Sequence, residues 1–579
     1  MLDTLWLLLC TGLVFLMQAG FMCLESGLTR SKNSINVAVK NLADFGLSVA
    51  LFWAFGYALM FGASRSGWWG STAFFFAPQD EPQRAVFFLY QAMFCGTATT
   101  IISGAVAERL KFSAYVLISS LVSGIVYPIF GHWAWNGIAN DNSGWLEGLG
   151  FVDFAGSTVV HSTGAWVSLA TLLVVGARTG RFPEAGSANK IQGSNMPFSV
   201  LGAFILWFGW IGFNGGSTLA LDDRVPGIVM NTFLAGVAGM LVAGTLSWLR
   251  YQLIEVEPLV NGSIAGLVAI TACCNVVTPP LAFIVGGTGA AAAMLVADWM
   301  TRSRIDDAVD AVAIHGGAGL WGTLCVALFG NLSTLDTGLS RGMQLLVQAL
   351  GIGICFAWAF GISWIALYFL NRWLPLRVSE DEEALGLNVS EHRAKTETYD
   401  LFQVMDYQAR THDLNLRAPV EPFTEVGHIA TRYNQVMDAL EKQHRQNVED
   451  LEQLYYLITA ATAVVERETY QSANLELDEI ASRDDDLGSL ARVLQTLVQK
   501  IQSQELALNE AQKQKELSLC QAKRDAIAQI LSLRWGTVPL IVQEQLDACH
   551  DSQQLQAWIG RAIAASSIEE FENTAATSP

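Results

Sequence analysis

Long apolar runs separated by short polar stretches fill the first two-thirds of the chain. Runs of about 20 apolar residues, enough to cross the hydrocarbon layer as a helix, lie at 4–24, 41–62, 86–107, 113–131, 156–176, 197–218, 227–248, 259–275, 279–298, 308–330 and 343–370. We predict that each run is a membrane-spanning helix. No basic region precedes the first run and Glu25 follows before any Ala-x-Ala site, so we interpret it as a span, with a processed signal peptide as the alternative.

Beyond about Ser379 the pattern changes to dense Glu, Asp, Gln, Lys and Arg, with apolar residues at helical spacing. The sequence therefore predicts an all-α membrane protein with a helical or coiled-coil tail. We divide it into a membrane domain (1–375), a short C-terminal region of that domain (376–396), a coiled-coil-like region (397–523) and a small helical domain (524–579).

The Lys and Arg residues between the runs predict the orientation, because positively charged loops stay in the cytoplasm. Alternate loops hold thirteen such residues from Arg30 to Arg377, and the opposite loops hold only Arg65, Arg84, Arg224 and Arg341. We therefore expect a protein of the plasma or inner membrane. The charge bias predicts that its N-terminus lies outside the cell and its tail in the cytoplasm.

The composition excludes other classes of function. The net charge is −19 and the tail is acidic, which argues against a nucleic-acid partner. The nine cysteines have no metal-ligand spacing and are interpreted as small buried hydrophobes. No nucleotide-binding glycine loop, kinase, cyclase or nuclease motif is visible, so we expect no cofactor and no enzymatic activity.

Two histidines lie inside predicted spans, where ionisable groups are costly, by roughly 2.5 kcal/mol or more for full charges. His161 is in the fifth span, eight residues after Asp153, and His315 is in the tenth, five residues after Asp310. Segments five spans apart insert in opposite senses, so an inverted five-helix repeat would bring the two imidazoles together at the midplane. The alternative is two separately satisfied polar residues that hold helices together. The third histidine, His132, is interpreted as an interfacial residue.

Aromatic residues cluster at the expected outer mouth of such a path. Trp135 and Tyr90 would lie at the mouth, with Phe94 one turn deeper and Phe213 in the sixth span. Aromatic faces near Asp153 attract a small cation, by about 0.5 to 2 kcal/mol for each ring, and stacked Phe rings exclude water. The implied ligand is cationic outside and sheds its charge or its water to go further.

Four motifs in these spans resemble the ammonium transporter (Amt) family. They are Asp153-Phe-Ala-Gly-x-Thr-Val-Val-His161, Gly209-Trp-x-Gly-Phe213-Asn-x-Gly-Ser217, Gly104-Ala-x-Ala-Glu108-Arg109 and Asp310-x-x-x-x-His315-Gly. The resemblance covers the eleven spans, and the segment from Leu376 to His392 is similar to the cytoplasmic C-terminal region of the family. There Asn388 stands where an Asp is usual and Arg393 where a Gly is usual.

The resemblance implies a role for each matching residue. Trp135, Ser217 and Tyr90, the last in place of a usual Phe, would form the external ammonium site, with Asp153 holding it together. Phe94 and Phe213 would form the gate, His161 and His315 the pore, and Asp310 would support the inner end. The resemblance also implies a homotrimer with one pore in each subunit and a possible PII-type regulator. Glu25 is a departure, and it is either an inner-pore charge, a helix-packing hydrogen-bonder or neither.

These residues suggest ammonium binding outside, deprotonation near the gate and passage of neutral ammonia, since a bare ion in a dry pore faces a Born penalty of order 20 kcal/mol. Whether a proton follows, making transport electrogenic, is left open. Two other hypotheses remain: a receptor that senses ammonium through its tail without transport, and a channel for another small neutral molecule.

The tail contains cues of a signal-relay module. The stretch from Asp413 to Val420 followed by Glu425-Val-Gly427 resembles a HAMP module, and Asp484-Asp-Asp486-Leu487-Gly488 repeats the cue. The resemblance implies relay by repacking of a parallel helical bundle towards a signalling partner. An ordinary coiled coil is the alternative, because Leu440, Val448 and Leu451 suit any amphipathic helix.

Overall fold

The computed structural model describes residues 1–78, 81–140, 142–184, 186–396, 398–422, 424–465 and 477–576. The chain divides into two compact units, Met1–Tyr399 and Asp400–Pro579. Both units are helical, and the first contains all the long apolar helices.

Eleven apolar helices form the first unit and correspond one for one to the predicted runs. They are α1 (Leu2–Leu28), α2 (Ser31–Phe61), α3 (Pro82–Ala105), α4 (Phe112–Ile138), α5 (Ser157–Val175), α6 (Met196–Thr218), α7 (Val225–Tyr251), α8 (Val256–Ile270), α9 (Pro279–Arg302), α10 (Val312–Phe329) and α11 (Arg341–Trp373). Among the described residues, ten of these are long enough to cross a membrane and α8 is a shorter apolar helix. The prediction of eleven apolar helices is therefore confirmed.

Short elements connect some of the long helices. A two-stranded antiparallel ribbon, β1 (Ser64–Arg65) and β2 (Trp69–Gly70), follows α2. Four-residue helices occur at Trp145–Gly148 before α5 and at Leu332–Leu335 after α10. We refer to the face of the unit where α1 begins as the N-terminal face and to the opposite one as the C-terminal face.

Five of the long helices contain a π-helical segment, in which one extra residue widens a turn. These segments are Phe52–Gly56, Val122–Val126, Ser157–Ser162, Val312–Gly317 and Phe356–Phe360. Two of them open α5 and α10 and carry His161 and His315. Because π-helical turns are uncommon and cluster at functional sites, their matching positions support the predicted inverted repeat.

Helices α1 and α6 pack backbone against backbone through glycine. A Cβ atom on Gly202 would lie 2.4 Å from Leu24 N, and one on Gly209 would lie 2.1 Å from Met17 Cγ. Small residues permit such close helix contact, which is how membrane helices associate without a hydrophobic driving force. α1 is thus an integral part of the folded unit.

After α11 the chain folds back under the C-terminal face as a docked segment, residues 376–392, with helices α12 (Glu380–Leu385) and α13 (Leu387–His392). Lys32 Nζ donates to the carbonyls of Glu383 (2.8 Å) and Ala384 (2.7 Å) at the end of α12. Asn33 and Asn36, also at the start of α2, bond to Leu387 N and Asn388 Oδ1, each at 2.9 Å. The docked segment is therefore held mainly by α2.

The second unit consists of α14 (Thr398–Thr411), α15 (Glu425–Val465), α16 (Asp478–Ala481), α17 (Asp486–Trp535), α18 (Leu540–Ala548), α19 (Ser552–Ala564) and α20 (Ile568–Ala576). It has three small cores. One joins Leu401, Ala418 and Ala430, the next joins Leu457, Ile480 and Leu494, and the last lies around Ile527, Leu546 and Trp558.

Candidate functional site

The two histidines predicted to form a pair meet inside the first unit. Nδ1 of His161 lies 3.2 Å from Nδ1 of His315, and the rings are nearly parallel, at 17° and with centroids 5.1 Å apart. A hydrogen bond between these atoms requires one ring to donate and the other to accept, so the two Nε2 atoms have opposite roles. The pair therefore offers one donor and one acceptor to a small polar molecule.

Two further aromatic side chains, which the sequence did not identify as site residues, pack against the histidine pair. Trp210 stacks on His161 at 5.4 Å and 17°, and its Nε1 donates to Thr271 Oγ1 at 3.0 Å. Phe21 packs against the His315 ring at 5.9 Å. Nε2 of His161 is buried and has no hydrogen-bond partner within the described part of the chain. A buried polar atom without a partner is costly, and this one is available to a permeating molecule.

The predicted gate lies directly beside the histidines. Phe94 and Phe213 stack at 4.0 Å and 14°, and Phe213 is 5.4 Å from the His161 ring. Both phenylalanines are buried, at 1% and 0% exposure. The two rings close the approach to the histidine pair, and Phe213 brings α6 to the same point as His161 from α5.

Tyr90, Ser217 and Trp135 surround the gate on its other side. The Tyr90 hydroxyl donates towards the carbonyls of Gly212 (3.0 Å) and Phe213 (2.9 Å) and lies 3.3 Å from Ser217 Oγ. Ser217 Oγ donates to the Phe213 carbonyl at 2.8 Å, which leaves its lone pairs as acceptors. Trp135 contacts Phe94 edge-on at 6.3 Å. The structure thus brings together every aromatic residue that the sequence placed at the mouth.

Asp153 has its carboxylate occupied by its own helix. Oδ1 accepts from Gly156 N (3.1 Å) and Ser157 N (2.8 Å), and Oδ2 accepts from Thr158 N and Val159 N, both at 2.8 Å. These bonds satisfy the backbone N–H groups that have no partner within the helix at its N-terminus, where a negative charge is also favoured by the helix dipole. The Asp153 carbonyl also accepts from Trp135 Nε1 at 2.7 Å. The Asp153 side chain therefore positions the start of the helix that carries His161, and its main-chain carbonyl positions Trp135. The carboxylate does not face the mouth as a direct cation ligand.

The carboxylate that caps α10 is Asp307. Its Oδ2 accepts from Val312 N at 2.7 Å, and it precedes His315 by eight residues, the spacing of Asp153 from His161. Asp310, the acid singled out from the sequence, instead has a left-handed φ of 60° and accepts a bond of 3.1 Å from Asn261 Nδ2. The equal spacing of eight residues is the signal that would have identified Asp307.

A cavity of about 370 Å³ lies between Asp310 and the C-terminal face. Its lining includes Asn261, Asp307 and Asp310, together with Ala313 and Ile314, which immediately precede His315. The stacked phenylalanines adjoin the histidine pair where α3, α5, α6 and α10 meet. The cavity adjoins the two residues that precede His315 on α10.

His132 is not the interfacial residue that the sequence suggested. It is fully buried, with Nε2 2.8 Å from Ser64 Oγ and Nδ1 2.9 Å from the Met60 carbonyl. It fastens α4 to α2 and to the ribbon that follows α2, because a buried imidazole needs partners for both nitrogens.

The Glu108–Arg109 motif builds an ion-pair network at the C-terminal face. Glu108 pairs with Arg30 at 2.5 Å and with Arg178 at 3.5 Å, and Arg178 Nε donates to Asp306 at 2.8 Å. Burial alone would raise the pKa of the Glu108 and Asp306 carboxyls, but the arginines outweigh burial and hold each pKa below its ordinary value. Both carboxylates are therefore charged, and the network locks the loops that follow α1, α3, α5 and α9.

Comparison with known proteins identifies the fold that these residues build. The model of the Ammonium Transporter Family matches residues 5–398. The chain belongs to the ammonium transporter family. Its homologues are transporters, not enzymes, and the family match ends at the boundary between the two units.

Relatives within the ammonium transporter family cover different parts of the chain. A Synechocystis protein provisionally named as ammonium transporter sll0537 is 64% identical over 512 residues, 88% of this chain and 95% of its own. Ammonium transporter Amt2 of Archaeoglobus fulgidus is 41% identical over 414 residues, 68% of this chain and 87% of its own. The first alignment is longer than the membrane unit, so the Synechocystis relative shares part of the tail.

Solved structures of family members have the same fold. A structure described as a sensor Amt protein matches with a TM-score of 0.66 at 40% identity, covering 68% of this chain and 98% of its own. Candida albicans Mep2 matches with a TM-score of 0.61 at 28% identity, covering 73% and 94%. The protein is thus a multi-pass membrane protein with an ammonium-transporter fold and a helical tail.

Proposed function

We propose that the protein carries ammonium nitrogen across the membrane through the path formed by Phe94, Phe213, His161 and His315. The observation that carries the proposal is the histidine pair itself: two buried imidazoles from α5 and α10 at 3.2 Å, one of them with an unpartnered Nε2. The histidine pair offers one hydrogen-bond donor and one acceptor, so it suits a small neutral molecule that can both donate and accept. Ammonia is such a molecule, and membership of the ammonium transporter family makes it the expected one.

Ammonium would bind first at Trp135, Tyr90 and Ser217. The two aromatic rings provide cation–π attraction, and the Ser217 hydroxyl, which donates to Phe213, accepts a hydrogen bond from the ion. The Tyr90 oxygen is a second acceptor at the same place. Asp153 contributes by holding the Trp135 indole through its carbonyl.

At the gate the ion would lose its proton, which either stays outside or is relayed inward. A charged ion would have to leave its water behind to pass the stacked phenylalanines, whereas neutral ammonia bonds to the histidine pair and leaves through the cavity beside Asp310. Potassium cannot shed a proton, which supplies selectivity. A proton relayed inward would make this transport electrogenic.

The proposed orientation has the N-terminal face outside and the docked segment and tail in the cytoplasm. The thirteen-to-four bias of basic residues supports it. We further propose a homotrimer with one path in each subunit, on the family resemblance, and regulation of flux by the tail or by a cytoplasmic partner such as a PII-type protein.

We propose that the start of the tail is a HAMP-like relay. Support comes from the packing of Leu401, Ala418 and Ala430 and from the turn at Gly427, where a Cβ atom would lie 1.9 Å from the Glu421 carbonyl oxygen. The turn at Gly488 repeats this geometry, with a Cβ position 2.1 Å from the Arg483 carbonyl oxygen. Tandem relay modules are consistent with these two matching turns.

A second candidate function is an ammonium receptor that signals through the tail without net transport. It is favoured by the fused helical tail and by the similarity to a sensor Amt protein. The two functions share the same external site, and measured flux separates them.

The test is current recorded from proteoliposomes on ammonium pulses. We compare the full-length chain with a chain ending at Tyr399, which keeps the docked segment in place. Ammonium-evoked current that is lost in His161 and His315 variants supports transport. Binding without current or methylammonium uptake, in both chains, would establish the receptor instead.

A further inference from the structure

A buried polar cluster lies on α1 to α4, outside the path described above. Its members are Glu25, Asn41, Asp44, Thr100, Ser103 and Tyr115, each at most 3% exposed. Asn41 Nδ2 donates to Glu25 Oε2 at 2.9 Å, and Ser103 Oγ donates to the same oxygen. Glu25 is thus a helix-packing residue, one of the alternatives that its sequence left open.

The cluster connects two carboxyl groups. Thr100 Oγ1 lies 3.2 Å from Asn41 Oδ1 and 3.0 Å from Asp44 Oδ2, and the Tyr115 hydroxyl donates to Asp44. The Thr100 hydroxyl has a single hydrogen, so the chain from Glu25 through Asn41 and Thr100 to Asp44 is complete when Thr100 donates to Asn41 Oδ1 and accepts from a protonated Asp44. A proton added to one carboxyl group is communicated to the other through this chain.

The hydrogen atoms of the cluster are too few for two ionised carboxylates. Each carboxylate has about four acceptor positions. The surrounding side chains supply five hydrogens, two from the Asn41 amide and one from each of the three hydroxyls, and one amide hydrogen is shared with the Val37 carbonyl at 3.0 Å. One further hydrogen on a carboxyl group relieves the deficit.

The net charge of the cluster also indicates one added proton. None of the ion pairs formed by the described residues includes Glu25 or Asp44. The cation on the same helix is Lys40, which is fully buried, donates to the Leu110 carbonyl at 2.9 Å and lies 5.7 Å from the Tyr115 ring centroid. Two carboxylates and one ammonium leave a single negative charge in an apolar interior, which one proton cancels.

Gln18 adds an independent observation at the other end of the cluster. It lies on α1 two turns before Glu25 and is 8% exposed, and neither atom of its amide group has a hydrogen-bond partner among the residues that the structure describes. A Cβ atom on Gly96, one turn from Thr100 on α3, would lie 2.9 Å from its Nε2. The buried polar groups between α1 and α3 therefore extend from Glu25 to Gln18.

Helix α2 joins this cluster to the docked segment. Its residues Asn41 and Asp44 belong to the cluster, and its first turns, through Lys32, Asn33 and Asn36, hold residues 376–392. Both sets lie in the same uninterrupted α-helix, Ser31–Leu51. A displacement of α2 at the cluster is therefore felt at the docked segment.

We propose that Glu25 and Asp44 together hold one exchangeable proton, and that losing this proton shifts α2 and loosens the docked segment. Without the proton, two like charges share a water-poor site and repel each other, and α2 moves away from α1 and α3. The charged and titratable groups facing the pair are Lys40 on α2 and Tyr115 on α4, with Glu391 of the docked segment and Arg109 acting on Lys40. The proposal does not depend on whether ammonium crosses the membrane.

Infrared spectroscopy of the full-length protein in lipid tests the proton directly. We expect a carbonyl band of a protonated carboxyl group near neutral pH, shifted in heavy water, and absent from Glu25→Gln and from Asp44→Asn. Because the proton is shared, each single substitution should remove the whole band. Independent carboxyl groups would each lose only part of it. An unchanged band in either variant would overturn the proposal, as would its absence from the wild type.

Hydrogen exchange measured by mass spectrometry tests the link to the docked segment. Above pH 4.5, where Glu383 stays charged, protection of residues 380–392, corrected for the intrinsic rate at each pH, should fall in the wild type as the proton is lost. In the same pH range it should not change with pH in the Glu25→Gln, Asp44→Asn double variant. Glu383→Gln is the matched control, because it weakens docking without touching the cluster and should keep the pH dependence. The same pH dependence in wild type and double variant would refute the coupling.

Discussion

His161 and His315 are 154 residues apart in the chain, yet their Nδ1 atoms are 3.2 Å apart. If this pair carries ammonia, His161→Ala and His315→Ala should each reduce ammonium-dependent flux by about 5- to 150-fold, since a lost hydrogen bond in a buried site costs about 1–3 kcal/mol and about 1.4 kcal/mol is a factor of ten. Methylammonium uptake into proteoliposomes measures this. His132→Asn is the control, because His132 is equally buried but outside the path, and it should lower stability while selectivity stays. Native flux in both alanine variants would eliminate the proposed path.

Asp153→Asn should destabilise the start of α5. The side-chain amide of asparagine accepts hydrogen bonds only through its oxygen, so two of the four backbone N–H groups lose their partner. Each unsatisfied N–H group costs about 1–3 kcal/mol of stability. The midpoint of thermal unfolding should fall, and ammonium binding should weaken because the loosened cap displaces the Asp153 carbonyl that holds Trp135. Asp222→Asn, at a surface pair with Arg224, should change stability by less than about 0.5 kcal/mol. Equal effects of the two substitutions would show that the cap contributes nothing.

Tyr90→Phe should keep the aromatic face of the external site and remove one acceptor. We expect ammonium affinity to fall by about two- to tenfold, the value of one ordinary hydrogen bond of about 0.5–1.5 kcal/mol, with the maximal current retained. The concentration dependence of the current measures both quantities. A lower maximal current at unchanged affinity would instead show that the hydroxyl acts by holding Phe213, whose carbonyl accepts from it.

The glycine turns of the tail should not tolerate alanine. Gly427→Ala and Gly488→Ala place a Cβ atom within 2.1 Å of a carbonyl oxygen, so each should loosen the second unit, as limited proteolysis would show. Gly560→Ala is the matched control: nothing lies within 4 Å of its Cβ position in α19, and alanine should stabilise that helix by about 0.5–1 kcal/mol. Proteolysis that proceeds at the same rate in all three variants would contradict the turn assignment.

Docking of residues 376–392 should fail in acid. Burial alone would raise the pKa of Glu383, but Arg377 at 2.7 Å and the bonds from Thr179 bring the pKa below its ordinary 4.5. A depressed carboxyl pKa stabilises fully above pH 4.5, and that stabilisation disappears as the pH falls through the folded-state value. Hydrogen exchange of the docked segment should therefore rise below pH 4.5 in the wild type. In Glu383→Gln this acid step should be missing; if it persists there, another group is responsible.

Hydropathy alone located the eleven apolar helices, because a bilayer imposes a long, uniform apolar pattern. Hydropathy did not predict the helix ends where polar residues are buried inside the protein. α2 begins at Ser31, ten residues before the predicted run, because Lys32, Asn33, Asn36 and Lys40 bond to the docked segment and to a loop. Their partners are distant in the chain and leave no local signal.

Site residues could be found from motifs, but their geometry could not. The gate, the histidine pair and the mouth were all named from sequence and lie together. The roles of Asp307 and Trp210 were missed, because a cap and a stacking ring depend on where helices cross. Asn388 shows the same limit: it accepts from Asn36 N at 2.9 Å and donates to the Ser31 carbonyl at 2.8 Å, and the aspartate usual in the family cannot make the second bond.

The π-helical starts of α5 and α10 have a consequence for how this part of the chain can vary. Removing one residue from Ser157–Ser162 would let the backbone return to regular α-helix, but it would turn everything on one side of the deletion by about 100° relative to the other. The imidazole of His161 would then point away from His315, although both histidines would still be present in the sequence. These two short stretches must therefore preserve their length as well as their histidines.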